Sequence, residues 1–224
     1  MNTGHHLMEM VDLLLSHFGP QHWWPGETPL EVMVGAILTQ NTNWNNVEKA
    51  IQNLKRKGLL SVHGLHSVTV QQLAEEIRPA GYFNIKSKRL KNLIHFLVEC
   101  YEGKMALFLE DRTETLRNGL LSVKGIGPET ADSILLYAVK RPLFVVDNYT
   151  YRILNRHGLV DDPVSYDDLQ DLFMSNLPHD PQLFNEFHAL IVCTGKNYCR
   201  KKPLCHPCPL NDWGPAKPLA RINE

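Results

Sequence analysis

The sequence predicts an all-α protein of about ten helices. Three observations carry that reading. Apolar residues recur three and four apart along nearly the whole chain. Proline and glycine fall at the ends of those runs rather than inside them. The single strand-like stretch, Phe144-Val145-Val146, is too short to build a sheet. In chain order, Leu7, Met10, Val11, Leu14, Leu15 and Phe18 mark a first helix that Gly19-Pro20 stops. Leu30, Met33, Val34, Ile37 and Leu38 follow Pro29, a residue favoured in a first helical turn. Trp44, Val47, Ile51 and Leu54 form a third face, with Asn43 as its cap. A short helix over 70–78 ends at Pro79-Ala80-Gly81, and Leu90, Leu93, Ile94, Leu97, Val98 and Tyr101 make the next. Further helices are expected over 115–121, 129–139, 148–157, 166–176 and 181–193.

The chain has 224 residues, 43% apolar and 21% charged, the composition of an ordinary globular protein. That excludes disorder and collagen-like repeats, and it allows a core without disulfide staples. No apolar run reaches the roughly 18 residues of a membrane span. No basic stretch followed by an apolar core opens the sequence, so a cytoplasmic protein with no membrane partner is expected. The net charge of −1 does not announce a nucleic-acid binder. Any such role must rest on local patches.

The first chemical signal is Leu120-Leu121-Ser122-Val123-Lys124-Gly125-Ile126-Gly127-Pro128-Glu129-Thr130-Ala131. It reads as helix, tight hairpin, and a second helix opening with proline. Such a bend leaves backbone N–H groups at a helix N-terminus pointing outward, an anion site suited to phosphate. Phosphate held by amides positions DNA without reading its sequence. A plain helix corner is the alternative; the flanking helices and the alternation of Val123 and Ile126 with Gly125 and Gly127 favour the DNA-binding hairpin.

The second signal runs from Leu143 through Phe144-Val145-Val146-Asp147-Asn148-Tyr149-Thr150-Tyr151-Arg152. An apolar run delivers one carboxylate, Asp147, to the entry of a helix. Taken alone, Asp147 reads as an N-cap. Following the hairpin so closely, it reads as a carboxylate brought to DNA.

Together these residues resemble the endonuclease III-like helix-hairpin-helix DNA glycosylases. The resemblance extends to Leu38-Thr39-Gln40, to Gly81-Tyr82-Phe83-Asn84 with Lys86-Ser87-Lys88, and to Gly195-Lys196, Cys199 and Cys205-His206-Pro207-Cys208. It implies a two-lobed, all-α enzyme that holds duplex DNA and an extruded base in a cleft. One lobe would join residues 1–28 and 128–198, the other would span 29–127, and 199–213 would form a cysteine loop. The helix-hairpin-helix itself would cover about 115–139. By the same resemblance Asp147 is the catalytic carboxylate, and Gln40 fills the gap left by the flipped nucleotide.

One departure decides the reaction type. Bifunctional members carry a lysine two residues after the second hairpin glycine, where it attacks the sugar as an amine. This chain has Glu129 there, and a glutamate forms no imine. Lys124 belongs to the hairpin and is expected to face phosphate. The expectation is a monofunctional glycosylase that hydrolyses the N-glycosidic bond with water.

Aromatic residues narrow the substrate. His22-Trp23-Trp24-Pro25, and Trp44 shortly after Gln40, are similar to the 3-methyladenine DNA glycosylase III type of the family, which also has glutamate in place of the lysine. Tryptophan faces stack on bases and attract cationic ones. An N3-methylated adenine is already a good leaving group, so an aromatic slot and one carboxylate suffice. Trp23, Trp24, Trp44 and Glu129 are therefore assigned to the base pocket, with Trp24 and Trp44 bracketing the base. Core packing is the alternative for each tryptophan. Two other functions stay open: a glycosylase for oxidised pyrimidine or mismatched thymine, and a non-catalytic helix-hairpin-helix DNA-binding module.

Cys199-x5-Cys205-x2-Cys208 is clustered, which in a reducing compartment reads as metal ligation. The family often binds a [4Fe–4S] cluster through four such cysteines. Here the position of the fourth is Gly214, and Cys193 is the other candidate. An Fe–S cluster, a zinc ion held by the same thiolates with Cys193 or His206, and a metal-free loop are the readings left open. Lys196, Arg200, Lys201 and Lys202, together with Lys124, would form a basic strip toward DNA; Lys86, Lys88, Arg89 and Lys91 offer a second. His95, His157 and His188 fall on helical patterns and read as structural. The expected partner is double-stranded DNA with a damaged base, bound by a monomer.

Overall fold

The computed structural model describes residues 3–23 and 26–214. Among them are twelve α-helices and no strand. The helices are α1 (Thr3–Phe18), α2 (Pro29–Leu38), α3 (Trp44–Arg56), α4 (Val62–Ser67), α5 (Val70–Glu76), α6 (Phe83–Tyr101), α7 (Met105–Glu110), α8 (Thr113–Ser122), α9 (Pro128–Ser133), α10 (Asn148–Arg156), α11 (Tyr166–Met174) and α12 (Pro181–Asn197). A 3-10 turn fills Arg78–Ala80, and α9 runs on into a π turn over Ile134–Ala138. No helix among the described residues is long and apolar enough to cross a membrane.

The excess over ten helices comes from α4 and α7. Each has six residues, under two turns, too short for an apolar period to register. Their existence depends on neighbours: α4 packs on α6, and so does α7. α6 also begins at Phe83, well ahead of the apolar run that reveals it.

The chain divides into two compact units, Met1–Trp23 with Pro142–Glu224, and Trp24–Arg141. The second boundary falls after residue 141 rather than after 127. The reason is that α9 and the π turn pack against α2 and α8, and so belong with the middle of the chain. In that unit α2 is buried on every side from Leu30 to Leu38. It is the central helix, capped by the Thr28 hydroxyl, which accepts from the Glu31 N–H.

In the other unit α12 packs on α1 and α10. Phe144, Phe173, Phe184 and Phe187 fill its core, and Phe144 stacks on Phe173 with centroids 3.8 Å apart. The Phe144–Val146 stretch pairs with no strand among the described residues. Side chains of α11 take the place of a ladder: the Phe144 N–H donates to Met174 Sδ at 3.4 Å, and its carbonyl accepts from Gln170 Nε2 at 2.6 Å. A buried backbone must find such partners. Here they fix the segment that delivers Asp147.

Candidate active site

In the middle unit, the hairpin between α8 and α9 is built as the sequence suggests. Gly125 has φ +101°, a torsion that L side chains rarely adopt, and a Cβ there would collide with Arg89. Gly127 differs. It is the N-cap of α9 at φ −100°, and nothing lies within 4 Å of where its Cβ would be. Its lack of a side chain leaves the start of α9 open to an approaching group.

Neighbours hold the bend. Gln40 Nε2 donates to the Gly125 carbonyl at 3.3 Å and to Thr130 Oγ1 at 2.9 Å, and Arg89 donates to Gln40 Oε1. Asn92 Nδ2 donates to the Lys124 carbonyl at 2.9 Å, while the Lys124 side chain is exposed. Across the two hairpin helices, Arg117 makes a two-pronged contact with the fully buried Asp132, Nε to Oδ1 at 2.8 Å and Nη2 to Oδ2 at 3.1 Å. Gln40 thus sits in the bracing of the hairpin.

Lys86, 1% exposed, anchors the turn that carries Gln40. Its ammonium donates to the carbonyls of Leu38 and Ala80, each at 2.8 Å, and to Thr42 Oγ1 at 2.7 Å. Burial, with the Arg89 charge behind it, lowers its pKa to about 8. Lys91 spends its charge on the carbonyls of Leu65, His66 and Val68, at the end of α4. Of the basic run over 86–91, Lys86 and Lys91 bind backbone, Arg89 donates to Gln40 beside the hairpin, and Lys88 alone of the four is exposed.

In the other unit, Asp147 is the N-cap of α10 and something more. Its Oδ1 accepts three hydrogen bonds, from the N–H groups of Tyr149 (2.9 Å) and Thr150 (2.8 Å) and from Thr150 Oγ1 (3.0 Å). Oδ2 takes no part in the cap and lies 3.6 Å from His188 Nε2. Burial pushes the carboxyl up. The His188 imidazole and the Thr150 N–H and hydroxyl outweigh burial and hold it below the usual aspartate range. Capping and chemistry are compatible because they use different oxygens. His188, read from its spacing as structural, is brought to this carboxylate. Its signal is the close packing of α10 on α12, which Gly195 allows: a Cβ there would collide with the Tyr149 ring.

The aromatic candidates are spread over both units. Trp23 is half-buried, with Lys196 Nζ 5.6 Å from its ring centroid, a cation–π contact that occupies ring surface expected to meet a base. Trp44 is half-buried at the first position of α3. Trp24 lies outside the described residues. Glu129 is exposed in the first turn of α9, where a negative charge suits the helix dipole.

The cysteine loop follows α12. Cys199 is buried, and Cys205 and Cys208 are half-buried. Burial first, then the nearby Cys199 and Cys205 thiols, push the Cys208 thiol up. Among the described residues no fourth donor joins them. Gly214 stands in its place at φ +119°, against His157, and the Cys193 thiol donates to Gln21 Oε1 at 3.1 Å. Among the described residues no group of three or more His, Cys, Asp or Glu side chains is arranged to hold a metal ion. The residues present do not fit a four-thiolate cluster.

The loop is secured otherwise. Arg152 Nε donates to the Cys199 carbonyl at 2.6 Å. Arg156, one turn on, donates to Cys199 Sγ at 3.2 Å and to the Arg200 carbonyl at 2.7 Å. His157 Nδ1 meets the Trp213 carbonyl at 2.8 Å, and the Trp213 indole donates to the His6 carbonyl at 3.2 Å. Sequence reasoning missed both arginines. Their four-residue spacing on one face of α10 was the available signal. Arg200, Lys201 and Lys202 are exposed.

Comparison with known proteins agrees on one family. A model described as HhH-GPD superfamily base excision DNA repair protein matches residues 34–179. A Methanocaldococcus jannaschii protein provisionally named a DNA repair glycosylase is 49% identical over 208 residues, covering 92% of this chain and 94% of that one. The H. pylori 3-methyladenine DNA glycosylase MagIII, solved with 1,N6-ethenoadenine, superposes with a TM-score of 0.75 at 30% identity, covering 88% of this chain and 98% of that one. An endonuclease III trapped covalently on DNA shares the fold, with a TM-score of 0.80 at 21% identity over 95% of this chain and 96% of that one.

Proposed function

The chain belongs to the HhH-GPD superfamily of base excision DNA repair proteins, and from that membership we propose a monofunctional DNA glycosylase that removes an alkylated purine such as 3-methyladenine. The observation that carries the proposal is the division of labour in Asp147. Oδ1 is saturated by the start of α10, and Oδ2 is left for chemistry.

The proposed reaction runs as follows. The hairpin at Lys124–Gly127 takes a phosphate of double-stranded DNA on its amides, with Arg200, Lys201 and Lys202 adding charge along the backbone. A damaged base pairs weakly and is extruded at least cost. Aromatic side chains, of which Trp44 and Trp24 are the candidates, stack on the base. The bond from N9 to the sugar breaks, its electron pair leaves with the purine, and positive charge develops on the deoxyribose ring. The Asp147 carboxylate stabilises that charge and takes a proton from the incoming water, whose oxygen bonds to C1′. The products are a free base and an abasic site on an intact strand. Glu129 fits this route because it offers no amine to the sugar. The protein acts as a monomer, and the cysteine loop serves as scaffold.

The likeness to the 3-methyladenine enzyme supports the substrate class. A lesion panel tests it under single turnover: duplexes with 3-methyladenine, 1,N6-ethenoadenine, an oxidised pyrimidine and a G·T mismatch. Release of the alkylated purines ahead of the others is expected. Preference for thymine glycol or mismatched thymine would overturn the substrate assignment.

A further inference from the structure

We propose that His188 is a positioning residue for the reaction, one that acts through Asp147 by fixing the orientation of its free carboxylate oxygen. The inference rests on the assignment of Asp147 above and names a residue which that assignment does not need.

The two oxygens of the Asp147 carboxylate are held differently. Three donors from α10 hold Oδ1 and make no contact with Oδ2. The group that Oδ2 faces is the imidazole, at 3.6 Å. That distance is too long for a direct hydrogen bond but within ion-pair range. His188 is 6% exposed and stands on α12 between Phe184, Phe187, Leu190 and Ile191, all buried. Its backbone is therefore fixed by packing, and the ring meets the carboxylate as a preset group. A polar ring in such surroundings is costly unless it meets a polar partner.

Other charged groups on the packed elements are engaged elsewhere. Arg152 holds the Cys199 carbonyl and lies over the Tyr149 ring. Glu186 accepts from the Gln21 N–H at 2.6 Å, Lys196 lies over Trp23, and His17 of α1 meets the Tyr198 hydroxyl at 2.8 Å. The forces on the Asp147 carboxyl come from burial, His188 and Thr150. If the imidazole is taken away, burial is opposed only by the donors of α10, Thr150 and the Tyr149 N–H. The carboxyl then protonates at higher pH, and Oδ2 is freer to turn from the sugar.

The experiment compares wild type, H188L, H188Q and D147N in single-turnover excision from ethenoadenine duplex between pH 4 and 8, with DNA affinity and thermal melting measured beside it. H188L should lose about tenfold in excision rate near neutrality, and the acid limb of its profile should move to higher pH. Its DNA affinity should stay within twofold. H188Q, whose amide reaches a similar place, should recover most of the rate. Wild-type rate and profile in both His188 variants, with D147N inactive, would overturn the role of His188 and leave that of Asp147 intact. Activity in D147N would overturn the Asp147 assignment itself. Should H188L fail to fold, H188Q and the carboxyl-carbon NMR titration of Asp147 in the wild-type chain decide. A carboxyl that titrates above the ordinary aspartate range contradicts the proposal, and one that titrates below it supports it.

Discussion

The amide of Gln40 donates to the carbonyl of Gly125 at 3.3 Å, so the turn after α2 is tied to the bend between α8 and α9. The tie makes hairpin geometry depend on a side chain far away in sequence. It also separates the two hairpin glycines, which a motif would treat alike.

Gly125→Ala should destabilise the protein by about 1–3 kcal/mol, because the methyl group meets Arg89 and φ is positive. Gly127→Ala should cost less, about 0.5–1 kcal/mol, since its Cβ would meet open space at an ordinary φ and the loss is that of alanine at an N-cap. If the start of α9 takes a phosphate, Gly127→Ala should still weaken DNA binding severalfold. Calorimetry and a titration with undamaged duplex check both halves. Unchanged affinity would remove the phosphate role of this turn.

Asp147 offers a similar separation. Asparagine caps helices about as well as aspartate. Asp147→Asn should therefore keep stability within about 0.5 kcal/mol while lowering the excision rate by about 10²–10⁴. Asp147→Ala should lose the rate and, in addition, about 1 kcal/mol of stability with the cap. Denaturant unfolding and single-turnover kinetics on the three proteins are the measurement. Equal loss of stability in both variants would mean that the cap is not the structural role.

Much of this was legible in the residues. Asn43 and Asp147 each stand just before a helix and each caps it, because short polar side chains reach the first amides locally. The apolar periods placed α1, α2, α3 and α12 for the same local reason. What escaped depends on tertiary contact. The run over 86–91 looks like one basic face, yet Lys86 is drawn inward by three acceptors that converge on it from α2, from the turn before α3 and from the 3-10 turn. No spacing rule encodes that convergence. His188 escaped likewise: its partner is 41 positions away and meets it through α10–α12 packing. The π turn at Ile134–Ala138 also lies beyond periodicity, since it appears where α2 packs against it.

The cysteine loop yields a prediction about scaffold. If Arg152 and Arg156 secure it, Arg152→Ala should cost about 2 kcal/mol, as expected for a charged donor lost from a carbonyl. Cys205→Ser should cost much less. Iron and zinc, measured on protein purified without oxygen, should fall well below one per chain. Four irons per chain, with unfolding on chelation, would contradict the arginine clamp as the organising element.

The central claim is that the base leaves without amine attack on the sugar. Borohydride trapping tests it most directly: the protein reacts with an alkylated-purine duplex in the presence of borohydride, and the products are resolved for free base, strand breaks and protein–DNA adduct. The account predicts free base, an unbroken strand and no adduct, because position 129 carries a carboxylate. A covalent adduct that forms in step with base release would contradict it.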